Sequence, residues 1–95
     1  VSDKFILKGH MAVPANLMTW ARWFETADRK VANDRIGDIR VSTVFLGVDH
    51  NFDGGPPLLF ETMIFGGPHD EYQEWYSTWE EAEAGHATAL ALVKA

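Results

Sequence analysis

Four histidines and fourteen carboxylates are the residues of this 95-residue chain whose chemistry could be more than structural. Asp49, His50 and Asp53 fall in a stretch rich in Gly and Pro. Glu61 interrupts the apolar run Leu58–Phe65, and His69 and Asp70 follow the break at Gly66-Gly67-Pro68. A divalent ion would take Asp49, His50, Glu61 and His86 as ligands if the fold brought them together. None of their spacings has a mechanical rationale of its own, as HExxH on a helix or an EF-hand loop would. A carboxylate inside an apolar strand must be paired, hydrogen-bonded or protonated, and Arg40 is the partner nominated for Glu61. His86 sits at an inward helical position and reads as a hydrogen-bonded core histidine.

Nucleophilic and phosphate chemistry find less support. No Gly-x-Ser-x-Gly elbow surrounds Ser2, Ser42 or Ser77. Gly54-Gly55 and Gly66-Gly67 are each followed by Pro, which removes an amide donor, and neither is followed by the lysine of a phosphate loop. No catalytic residue, metal ligand or cofactor is therefore assigned.

Charge points instead to binding. The formal net charge is −6, unevenly spread. Residues 1–48 carry seven cations against five anions, whereas residues 49–95 carry nine carboxylates against Lys94 alone. The acidic half argues against direct nucleic-acid binding and for a partner with a basic surface. Asp70, Glu71, Glu74 and Trp75, with Glu80, Glu81 and Glu83 supplying steering charge, are the candidate contact residues. Trp75 lies among carboxylates and is the best candidate for an exposed binding aromatic.

The elements that must position these residues follow from periodicity. Phe5–Val13 reads as a hairpin turning near Lys8-Gly9. Asn16 caps a helix over Leu17–Ala27, with Leu17, Trp20, Ala21, Phe24 and Ala27 on its apolar stripe and Trp23 at the margin. Lys30–Asp34 and Ile39–Val48 read as strands joined at Ile36-Gly37-Asp38. After the loop Asp49–Pro57, strands are expected at Leu58–Phe65 and Glu71–Tyr76. Ser77-Thr-Trp-Glu80 fits a capping box for a last helix, with Trp79, Ala82, His86, Ala89 or Leu90, and Val93 facing inward. Gly85 costs that helix about 1 kcal/mol unless close packing offsets it. The expected fold is α+β: an antiparallel sheet of four to six strands in the order ββαββββα, with two helices on one face.

Size and composition bound the class. The chain makes one domain, residues 1–95, and at 46% apolar residues it is not disordered. It has no cysteine, hence no disulfide or thiolate site. No apolar run reaches the roughly 18 residues of a membrane span, and no secretory leader is evident, which points to a cytoplasmic protein without membrane partners. Val41–Val48 and Leu58–Phe65 look apolar on both faces, so the chain's own loop, a homodimer partner or another protein is expected to cover the second face.

Trp20-Ala-Arg-Trp-Phe-Glu25, Val41–His50, Pro56–Gly67 and Tyr76–His86 together resemble a group of small uncharacterised proteins encoded by bacteriophages and prophages. The resemblance implies an accessory phage protein acting in the host bacterial cytoplasm. With the acidic half, it leads to the expectation of a non-enzymatic binder that modulates a host protein, such as an inhibitor of a CRISPR-type defence nuclease. Two alternatives stand beside it: a small metal-dependent enzyme or ligand binder using Asp49, His50 and Glu61 with His86, and a virion structural or assembly protein.

Overall fold

The computed structural model describes residues 3–95, so Ser2 lies outside the described residues. The order is β1 (Phe5–Lys8), β2 (Met11–Pro14), α1 (Leu17–Thr26), β3 (Lys30–Ile36), β4 (Ile39–Phe45), β5 (Phe60–Phe65), β6 (Gln73–Tyr76) and α2 (Trp79–Lys94). The expected ββαββββα order and α+β class hold, with the strands divided between two antiparallel sheets: the hairpin β1–β2, and a four-stranded sheet ordered β3-β4-β5-β6. Among the described residues, no helix is long and apolar enough to cross a membrane.

Parity along the central strands decides what each face carries. Val41, Thr43 and Phe45 of β4 lie opposite Ile64, Thr62 and Phe60 of β5, and all six are fully buried. This inner face receives α2 through Ala82, His86 and Ala89, spaced four and three residues apart as one helical stripe requires. Two apolar clusters result. Phe45, Leu59, Phe60 and Ala82 form one, with the hairpin and Trp23 packed against it. Val41, Ile64 and Ala89 form the other, with Ile39, Leu90 and Val93 around them. Thr43, Thr62 and His86 make a polar layer between the two.

Helix α1 packs differently from its predicted stripe. Leu17 and Ala21 are exposed, whereas Trp23 packs edge-on against Phe45 at 5.6 Å between ring centroids. Trp20 donates its indole N–H to the Gly47 carbonyl at 2.9 Å and its ring meets Phe24 at 4.7 Å. The helix is thus held by its middle turns, and Leu17 and Met18 in its first turn stay exposed. Gly47 permits this approach. Its φ of +78° is accessible to glycine, and a Cβ there would lie 2.8 Å from the Phe24 ring. It also lies beyond the end of the strand, since β4 stops at Phe45, short of the predicted Val48.

Both helix starts are capped. Asn16 accepts from Thr19 N at 2.9 Å as anticipated. The capping box of α2 is one residue later than predicted: Thr78 and Glu81 exchange the bonds, not Ser77 and Glu80. Both tetrapeptides, Ser77–Glu80 and Thr78–Glu81, satisfy the pattern, so spacing alone does not separate them. Replacing Asn16 with Ala removes an acceptor from an orphan amide and is expected to cost about 1 kcal/mol. Urea denaturation should show a lower midpoint at an unchanged slope.

Candidate functional site

Three places in the fold gather polar side chains, the last two meeting at Trp75 on β6. The first is the polar layer of the core. Asp34 Oδ2 lies 2.8 Å from His86 Nε2, His86 Nδ1 lies 2.7 Å from Thr43 Oγ1, and Thr43 Oγ1 lies 2.6 Å from Thr62 Oγ1. With Nε2–H donating to the carboxylate, a neutral ring accepts at Nδ1 from the Thr43 hydroxyl, whose oxygen in turn accepts from Thr62. An Asp–His–hydroxyl chain is the arrangement that activates a nucleophile in hydrolases. Here both threonines are sealed from solvent, and only Asp34, its side chain 52% exposed, reaches water. The hydroxyls are out of reach of any substrate, so the chain's role is to satisfy buried polar groups. His86 is therefore the hydrogen-bonded core histidine that the sequence suggests.

The second place is the outer face of the sheet. Glu61 Oε2 accepts from the Trp75 indole at 2.8 Å and from the Gln73 amide at 2.6 Å. All three belong to β5 and β6, where Glu61 lies directly opposite Trp75. Arg40, nominated as the partner of Glu61, instead lies over the Phe65 ring at 4.4 Å, because the register sets Arg40 opposite Phe65 and Val44 opposite Glu61. The second face thus draws some of its cover from its own long side chains. His50 comes within 6.3 Å of the Trp75 ring and its Nδ1 bonds the Val48 carbonyl at 2.8 Å.

These placements do not bring the four candidate metal ligands together at one point. Glu61 and His86 fall on opposite faces of the sheet, since Thr62, the neighbour of Glu61 on β5, is the residue that points toward His86. Asp49 Oδ1 is spent on the amides of Asn51 and Leu58, at 2.8 and 2.9 Å, which shapes the loop. Among the described residues, no group of three or more His, Cys, Asp or Glu is placed to hold a metal ion.

The acidic segment is the third place. Asp70, Glu71, Glu74, Trp75, Glu80, Glu81 and Glu83 are all exposed. They run from the turn after β5, along the edge strand β6, and into the first turns of α2. Two of them also have local duties: Asp70 accepts from Gly66 N, and Glu81 closes the capping box. Trp75 is 42% exposed with its indole N–H held by Glu61, which fixes the orientation of the ring. Burial, with the neighbouring Tyr76 and Glu74, pushes the Tyr72 phenol up.

Sequence reasoning misses Asp34, Gln73 and Phe52. Asp34 and Gln73 act through cross-strand neighbours that only the register supplies. Phe52 is 90% exposed on the loop braced by Asp49 and Asn51. An aromatic between Asn51 and Asp53, ahead of two glycines and two prolines, is a legible sign of it. Comparison with protein-family models, with curated proteins and with solved structures finds no match to this chain.

Proposed function

We propose that this protein is a non-enzymatic binding module that docks a basic partner protein through the acidic surface formed by residues 70–83. The observation that carries this reading is Trp75: a half-exposed indole on an edge strand, fixed in orientation by Glu61, in a segment whose carboxylates Asp70, Glu71 and Glu74 are exposed. A pre-oriented aromatic loses little entropy on binding, and the net negative charge of the segment draws a cationic partner to this end of the molecule. The resemblance to phage-encoded proteins supports a host protein as the partner, with the basic nucleic-acid channel of a defence nuclease as the favoured class.

The test is affinity capture from bacterial lysate followed by titration of the captured protein. The combined variant Glu71→Lys, Glu74→Lys, Trp75→Ala is expected to weaken binding by on the order of 30-fold or more, since a buried aromatic anchor alone contributes about 2 kcal/mol. The wild-type interaction should also weaken as salt is raised. A partner that binds the triple variant as tightly as the wild type, with no salt dependence, would remove the basis for this reading.

A further inference from the structure

Glu61 is a carboxylate without a cation. It stands half-buried on β5, between Val44 of β4 and Trp75 of β6. Its Oε2 takes two neutral donors, the Gln73 amide and the Trp75 indole, and both bonds lie at the surface. Among the described residues, Oε1 accepts no hydrogen bond and Glu61 forms no ion pair. Arg40 is set opposite Phe65 by the register, four residues or about 13 Å along β5, and its guanidinium is engaged over the Phe65 ring. A carboxylate drawn partly out of water is best satisfied by a charged donor, and the chain supplies none. The bond to Glu61 uses the edge of the Trp75 indole, which leaves its faces to other contacts. His50, from the loop after β4, brings a second ring within 6.3 Å and 28° of parallel. Its Nδ1–H donates to the Val48 carbonyl at 2.8 Å, which fixes that ring as well.

We propose that Glu61, Trp75 and His50 form a binding site for an arginine side chain. This rests on the docking role proposed for Trp75 and names the group of the basic partner that the site receives. The guanidinium lies on the indole face, a cation over a π-system, and donates to Glu61 Oε1 in a charge-assisted bond. Carboxylate and indole are already joined through Oε2, so the anion and the ring are held within reach of one planar cation. The His50 ring borders the same place with a second flat surface. Lysine fits less well, because its ammonium is a compact, strongly hydrated charge that cannot stack and fork at once. The exposed carboxylates of residues 70–83 attract any cationic protein; Glu61 and Trp75 distinguish arginine from lysine.

The probes are two peptides of equal charge, acetyl-Gly-Arg-Gly-Arg-Gly-Arg-amide and its lysine counterpart. Titration of the whole chain is followed by the indole N–H resonances of the four tryptophans. The arginine peptide is expected to move the Trp75 resonance most and to bind at least about fivefold more tightly than the lysine peptide. Glu61→Gln keeps an acceptor for the indole while removing the charge, and should cut that preference to about twofold or less. Equal affinities for the two peptides on the wild type would overturn the proposal, as would no binding of the arginine peptide, a Trp75 resonance that it leaves unmoved, or a preference undiminished in Glu61→Gln. If the equal affinities were both lost in Glu71→Lys, Glu74→Lys, the acidic docking surface would stand without an arginine site. An arginine preference beside a captured partner indifferent to the triple variant would keep the arginine site and overturn the docking reading. The comparison of peptides on the wild type needs no variant, so a poorly folded substitution does not shield the idea.

Discussion

Replacing His86 with Ala is expected to lower the free energy of unfolding by about 3 kcal/mol, a large share of the total for a domain of this size. Two losses combine. The imidazole is 4% exposed and fills the space between the two apolar clusters, so its removal leaves a cavity between Ala82 and Ala89. The Thr43 hydroxyl also loses its partner at Nδ1, and the Thr43–Thr62 pair is left with one buried hydroxyl proton that has no acceptor. Asp34 contributes little to the penalty, because its carboxylate returns to water. Thermal unfolding should fall by on the order of 10–20 °C.

A second variant separates the hydrogen-bond chain from simple filling. Thr43→Val, Thr62→Val and His86→Leu together replace every buried polar member with an apolar one of similar size. Removing both ends of a buried hydrogen bond is far less costly than removing one, so the triple variant is expected to lie within about 1 kcal/mol of the wild type. The singles and the triple would then be strongly non-additive, as members of one network should be. If His86→Ala and the triple variant were equally destabilised, the layer would be a packing feature alone. The use of polarity here is register: sliding β4 against β5 by two residues would bring Thr43 opposite a large apolar residue and orphan it.

Much of this architecture is legible in the sequence because period and parity are local. Alternation along residues 41–48 places Val41, Thr43 and Phe45 on one face, and that is the face α2 covers. The helical spacing of Ala82, His86 and Ala89 supplies the matching stripe. Neither pattern states which residue stands opposite which. Glu61 stands out correctly as a carboxylate needing partners, yet Arg40 recommends itself only as a cation on the neighbouring strand. The register puts Arg40 four residues along β5, at Phe65, and leaves Trp75 and Gln73 of β6 beside Glu61. Helix α1 misleads for a different reason. Spacing alone defines a stripe, but with ten residues holding Trp20, Trp23 and Phe24 together, the side that faces inward depends on where Gly47 and Phe45 stand. Pairings across the chain, and not the elements themselves, are what the linear order withholds.

Gly85→Ala carries the sharpest contradiction between local propensity and packing. Judged on helix propensity alone, the substitution in the middle of α2 should stabilise by about 1 kcal/mol. The packing demands the reverse. A Cβ at Gly85 would overlap the Tyr76 ring at Cζ and Oη, the far end of a side chain whose hydroxyl is itself sealed from water. Tyr76 cannot easily withdraw, because its backbone carbonyl accepts from Leu59 N at 2.9 Å and its strand position is fixed opposite Phe60. Overpacking of this kind costs typically about 1–3 kcal/mol beyond any propensity gain, so a net loss of about 2 kcal/mol is expected in chemical denaturation. The sign should depend on Tyr76. In a Tyr76→Ala background the ring is gone, and the same Gly85→Ala change should stabilise by several tenths of a kcal/mol as propensity alone requires. A wild-type background in which Gly85→Ala raises the midpoint would show that the close contact does not exist. The consequence reaches the surface as well. Trp75 precedes Tyr76 in β6, and that strand's hold on α2 runs through the ring seated on Gly85. A helix pushed off Tyr76 would loosen the edge strand that presents the indole, so on the binding role proposed for Trp75, Gly85→Ala should weaken that binding without altering any exposed charge.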